Sequence, residues 1–165
     1  MAMAFLTGCD MNESATISTA NTAGNLTMLT WFSIDNPDCE VKAVLKEVIG
    51  KVTSASVLVG EGNTYLDSVL PEIQNLAIGK DNLTDYQKTL ISSGAVIILN
   101  GIDTFLASNE KVKGNAELVS KIVGAFGKGC LTVLNMKDDC CEIRKARAVY
   151  NIRSMKCRDG KFTMD

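Results

Sequence analysis

The sequence predicts an all-α fold, a single bundle of four or five helices. Three features carry this. Apolar residues recur at helical spacing over several long stretches, most clearly from Val41 to Ala55. Helix-start signals precede those stretches, among them Thr84-Asp85-Tyr86-Gln87, which has the form of a capping box. Two prolines in 165 residues, with apolar mass carried by Val, Ile, Leu, Ala and Met, favour helices over a sandwich or barrel.

In chain order, Leu26, Leu29 and Phe32 stand three apart behind Asn25 and predict a short helix through Trp31. Asn36-Pro37-Asp38 stops it. Asp38 then opens the clearest helix. Val41, Val44, Leu45, Val48, Ile49, Val52 and Ala55 form its apolar stripe, with Lys42, Lys46, Glu47 and Lys51 on the other side and Gly60-Glu61-Gly62-Asn63 at its end. Tyr65, Leu66, Val69, Leu70, Ile73, Leu76 and Ala77 repeat the pattern up to Gly79. Pro71 lacks an N–H, so this helix is expected to kink at Pro71 or begin near it.

Thr84 starts a long helix to about Ser108. Its middle, Gly94 to Leu99, is apolar nearly all round, as the central helix of a bundle would be, and Gly94 reads as a point of close approach. Asn115 caps the next helix. There Leu118, Val119, Ile122, Val123, Phe126, Cys130, Val133 and Leu134 keep helical spacing across Gly124, Gly127 and Gly129, which predicts one kinked helix. Asp138-Asp139 suit the start of a last helix running to about Tyr150. The turn Arg158-Asp159-Gly160-Lys161 predicts a small hairpin, Ile152–Cys157 against Phe162–Met164.

The formal net charge of −2 hides a split. Residues 1–136 carry 9 Lys/Arg against 14 Asp/Glu, and residues 137–165 carry 8 against 5. The basic set Arg144, Lys145, Arg147, Arg153, Lys156, Arg158 and Lys161 is a candidate patch for phosphates or anionic headgroups. Interleaved aromatics are missing apart from Tyr150, which argues against nucleic acid. Histidine is absent, which excludes Ser-His-Asp and Cys-His catalysis and every His-ligated metal site. Asp67 with Glu72, and Asp81 with Asp85, read as surface charges at helix ends. No phosphate-loop pattern surrounds the glycines at 124, 127 and 129. The expectation is a protein without catalysis, cofactor or small-molecule ligand.

Six cysteines are many for a reducing compartment. Cys130, Cys140, Cys141 and Cys157 contain no C-x-x-C pair, which disfavours a structural zinc site. Cys39, Cys130, Cys140, Cys141 and Cys157 are therefore candidate disulfide cysteines. Cys39, at a helix start, is a candidate to staple the Cys140–Cys141 corner, with Cys157 tying back the tail. Reduced thiols in a cytosolic protein are the alternative.

At the N-terminus, the uncharged apolar run Met1 to Leu6 leads into Leu6-Thr7-Gly8-Cys9. This stretch resembles the lipobox of bacterial lipoproteins: aliphatic residue, small residue, glycine, cysteine. The resemblance implies cleavage before Cys9, acylation of Cys9 with palmitate-type chains, and a lipid-anchored protein facing the periplasm. Residues 1–8 would be the remnant of a signal peptide whose basic region and apolar core lie upstream of Met1. Asp10 resembles the enterobacterial signal for retention in the inner membrane. Residues 9–25, rich in Ser, Thr, Asn and Ala, read as the lipid-attachment cysteine and a flexible tether, and residues 26–165 as the helical domain. The expected function is to bind or brace a partner protein in assembly, in immunity or exclusion, or as a structural subunit. The alternative is a cytosolic helical module whose basic C-terminal face acts on nucleic acid or a regulatory partner.

Overall fold

In this computed structural model, residues 12–35, 37–55, 63–112, 114–136, 155–158 and 161–164 are described, the last two ranges as backbone. They form an all-α bundle of five helices: α1 (Glu13–Ile34), α2 (Cys39–Ser54), α3 (Tyr65–Ile78), α4 (Asp85–Ala107) and α5 (Ala116–Met136). A short 3₁₀ turn, Glu110–Val112, joins α4 to α5. Strands β1 (Met155–Arg158) and β2 (Lys161–Met164) pair antiparallel, with Cys157 opposite Phe162. The expected hairpin is present over these two ranges, and its predicted first residue, Ile152, lies outside the described residues.

Each helix begins on an oxygen that its sequence supplies. The Asp38 carboxylate accepts from the Val41 N–H at 3.0 Å, and Asn115 accepts from the Leu118 N–H at 3.0 Å. The capping box of α4 is complete: Gln87 N–H donates to Thr84 Oγ1, and Gln87 Oε1 accepts from Thr84 N–H. Thr64 caps α3, which runs unbroken through Pro71 rather than starting there. Pro71 withholds one N–H, from the carbonyl of Asp67, and Asp67 is exposed. Gly114, at φ 76°, holds the turn before Asn115 in a conformation that glycine adopts without strain. Helix α5 crosses its three glycines as a single element.

The largest departure from expectation is α1. Residues 13–25, expected to be a flexible spacer, are the first half of a 22-residue helix, so the helical domain begins at Glu13 and not at residue 26. Asn12 caps it, its side chain accepting from the Ala15 N–H at 2.8 Å. Its buried residues include Thr16, Ala20, Ala23, Gly24, Met28 and Trp31. These are mostly too small to give an apolar period, and they are buried because α5 comes into backbone contact. A β-carbon on Gly24 would overlap the Phe126 carbonyl, and one on Gly129 would overlap that of Asn21. Asn21 Nδ2 donates across the same seam to the Ala125 carbonyl at 3.1 Å. Thr19, Thr22 and Thr30 return their hydroxyls to carbonyls four residues back.

Helices α1 and α5 run parallel. Lys121 bridges Glu13 and Glu117 at their N-terminal ends, and Gly24 meets Phe126 and Cys130 farther along. Glu117 first, then Glu13, holds the Lys121 ammonium above the ordinary lysine range, although all three groups are exposed and such pairs add little stability. Helix α4 is antiparallel to α1, since Thr27 lies at Gly101 and Trp31 at Gly94. It packs on α1, α2 and α3 and has the central place its sequence implied. Gly94 admits the Trp31 ring and Leu45, not a second backbone. Among the described helices, α4 is long and apolar enough to cross a membrane by length and composition, with mean hydropathy 1.7. Half of that stretch is buried inside the bundle.

Candidate functional site

The turn from α1 to α2 defines one end of the bundle. Trp31 is fully buried there and donates its indole N–H to Ser93 Oγ at 3.2 Å. Ser93 donates in turn to Asp35 Oδ2 at 3.2 Å. Gln87 Nε2 donates to Asp38 Oδ2 at 2.8 Å, binding the start of α4 to the start of α2. Lys42, 8% exposed, places its ammonium 5.4 Å from the Phe32 ring centroid, within cation–π range.

Among the described residues, four of the six exposed large apolar side chains lie at this end. Ile34 closes α1, Ile78 closes α3, Tyr86 opens α4 and Met136 closes α5, and all four are 65–71% exposed. Lys88 Nζ on the Ile78 carbonyl confirms that α3 ends where α4 begins. The parallel run of α1 and α5 brings Met136 to the same end as Ile34. No spacing rule could have gathered these residues, because they come from four separate helix termini. Two further exposed apolar residues, Leu26 and Leu29, lie on the outer face of α1.

The cysteines divide. Cys130 was a disulfide candidate, and the structure corrects this: it is a free, fully buried thiol. Its face of α5 packs on α1, where Sγ lies 3.5 Å from the Gly24 carbonyl oxygen. Burial pushes the thiol up to about 12, so it stays protonated and unreactive. Cys39 is disulfide-bonded. Cys9, Cys140 and Cys141 lie outside the described residues, as does the helix expected from Asp138 to Tyr150.

Of the basic patch, Arg144, Lys145, Arg147 and Arg153 fall outside the described residues. Lys156, Arg158 and Lys161 stand on the hairpin, where Arg158 is paired with Lys161 in the ladder. The carboxylates considered as pairs do not converge. Asp67 accepts from its own cap residue Thr64 at 2.8 Å, and Asp81 and Asp85 flank the α3–α4 turn. Among the described residues no three His, Cys, Asp or Glu side chains come together as a metal site.

Asp103 went unnoticed in the sequence. From α4 it accepts the Tyr65 N–H at 2.8 Å and the Leu66 N–H at 3.0 Å, closing the free amides at the start of α3. Its signal was an acidic residue within a nearly uncharged helix. Its role is architectural, since both carboxylate oxygens are spent on backbone. Comparison with protein-family models, with curated proteins and with solved structures found no match.

Proposed function

We propose that this chain is a lipid-anchored helical protein of the bacterial envelope, facing the periplasm, that binds or braces a partner protein without catalysis. The observation that carries this reading is Leu6-Thr7-Gly8-Cys9, set four residues before α1. An acylated Cys9 would hold the bundle close to the membrane surface, because the spacer expected behind it is helix. One acyl chain gives marginal binding, and two or more give a stable anchor.

The chemistry of the described side chains supports a binding role over an enzymatic one. The polar groups near the bundle end are spent on caps and on the indole of Trp31, and the buried thiol is inert. The outer face of α1 supports a protein contact. No charge occurs from Ser14 to Ile34, and Leu26 and Leu29 stand exposed within that neutral surface.

Labelling cells with a clickable fatty acid tests the anchor. The expected result is label on the protein that is lost with Cys9→Ser. No label, or label that survives the substitution, would sink the proposal. A thiol count on protein isolated without reductant separates it from the cytosolic module: one or two free thiols fit the envelope, five or six the cytosol.

A further inference from the structure

We infer that the outer face of α1 docks a second copy of this chain, the two α1 helices packing antiparallel about a two-fold axis level with Gly24. The assignment rests on the reading of that face as a protein contact, and not on the lipid at Cys9.

Ala15, Thr19, Thr22, Leu26, Leu29 and Ser33 alternate spacings of four and three along α1. That is the spacing of the a and d positions of a coiled coil. The seam faces away from the bundle. Leu26 is 45% exposed and Leu29 48%, Thr22 and Ser33 are exposed, and Ala15 and Thr19 are half-buried. The buried side of the helix, at Ala20, Gly24, Met28 and Trp31, is the other one. The hydroxyls of Thr19, Thr22 and Ser33 donate to the carbonyls of Ala15, Ser18 and Thr30 within the same helix. A dry apolar neighbour therefore strands none of them.

Size and charge select the occupant. A two-fold pair needs one patch that matches itself. In the antiparallel register Leu26 meets Thr22 of the second copy, Leu29 meets Thr19, and Ser33 meets Ala15. Each leucine then sits against a smaller residue, so the two surfaces interdigitate at an even spacing. A parallel register sets leucine on leucine in one half of the seam and small residues on small ones in the other, which opens a gap at one end. No charge occurs from Ser14 to Ile34, so neither copy brings like charge to the seam. A charge-patterned foreign helix finds no opposite charge on α1 to set its register.

The seam is about 27 Å long and roughly 10 Å wide. That is small beside the about 1,200–2,000 Å² in total that stable pairs bury. The pair is therefore weak and reversible, with a dissociation constant of about 10–500 μM.

Sedimentation velocity over about 10 μM to 1 mM tests this. The sample is the full chain carrying Cys9→Ser with its free thiols alkylated, so that neither lipid nor thiol exchange joins the copies. Monomer–dimer exchange is expected, weakened at least tenfold by Leu26→Glu and by Thr22→Lys separately. An equimolar mixture of the two variants is expected to recover the dimer, because the antiparallel register sets the new carboxylate against the new ammonium. A monomer throughout the range overturns the second copy as partner. A dimer that both substitutions leave intact overturns the face, and loss without recovery in the mixture overturns the register. In cells, a benzophenone amino acid at Leu29 is expected to crosslink to the α1 segment of a second copy. A crosslink only to another protein overturns the second copy and keeps the face as a contact, whereas no crosslink overturns both. The anchor is read separately, by the fatty-acid label.

Discussion

Gly24 of α1 and Gly129 of α5 each lie against the backbone of the opposite helix. A β-carbon on Gly24 would overlap the Phe126 carbonyl and lie 3.2 Å from the Cys130 nitrogen, while one on Gly129 would lie 2.8 Å from the Asn25 nitrogen. Backbone cannot swing aside as a side-chain tip can. Alanine is worth roughly 1 kcal/mol over glycine in a helix interior, and overpacking costs about 1–3 kcal/mol. Here the obstacle is backbone, and the cost belongs at the top of that range. Gly24→Ala and Gly129→Ala are each expected to lose about 2 kcal/mol net, lowering the thermal midpoint by roughly 4–8 °C. Gly124→Ala and Gly50→Ala meet nothing within 4 Å and are expected to gain up to about 1 kcal/mol. If all four substitutions behave alike in denaturant melts, the close packing of α1 on α5 is wrong.

Cys130 gives a prediction about pH. Its thiol is raised by burial from 9.0 to about 12 in the folded chain. The unfolded chain therefore releases the proton first, and between those values the native state binds more protons than the unfolded one. The stability linked to this thiol is fully present below pH 9 and is lost as pH rises toward 12, at about 1.4 kcal/mol per pH unit. Urea melts are expected to be flat from pH 8 to 9 and to approach this slope from there to pH 10.5 in the native chain relative to Cys130→Ser, in which the hydroxyl can still reach the Gly24 carbonyl. Parallel pH profiles would contradict it. At pH 8 an aromatic disulfide reagent should react with Cys130 only after unfolding.

Gln87 couples two helix starts. Its carbonyl oxygen accepts the Thr84 N–H at 2.8 Å, and its amide donates to Asp38, the cap of α2, at 2.8 Å. Gln87→Ala removes both and is expected to cost about 1–2 kcal/mol. Gln87→Glu keeps the capping box but sets a carboxylate against Asp38. It should cost about 1 kcal/mol at neutral pH, and Asp38→Asn in the same chain should recover most of that. A double-mutant cycle with no coupling would show that the two caps act independently.

The caps at Asp38, Thr84 and Asn115 were legible in the sequence because each acts on amides two or three residues away. The stripe of α2 was legible because its buried residues are large. The first half of α1 was not, because hydropathy measures side-chain size and Ala20, Ala23, Gly24 and Gly129 bury backbone. The threonines that made residues 13–25 look like a spacer satisfy themselves on the helix and leave no outward sign. The bundle end was illegible for another reason. Ile34, Ile78, Tyr86 and Met136 reach one end of the bundle through the directions of four helices, which no local pattern encodes.

Asp103 offers the sharpest local test of how α3 is held. Helix α3 is only 14 residues long and has Pro71 within it, so its first turn depends on outside acceptors. Thr64 accepts the Asp67 N–H at 3.0 Å, and Asp103 accepts the two amides before it. Hydrogen bonds to a charged group contribute about 1.5–3 kcal/mol each, and leaving the donors to water recovers part of that. Asp103→Ala is expected to cost about 2–3 kcal/mol. Asp103→Asn keeps one acceptor oxygen and should cost about half as much. Hydrogen exchange separates a local role from a global one. In Asp103→Asn the Tyr65 and Leu66 amides should exchange at least tenfold faster, with core amides of α5 such as Val123 slowed or sped only by the change in global stability. If Tyr65 and Leu66 keep their protection in both variants, Asp103 does not close the start of α3.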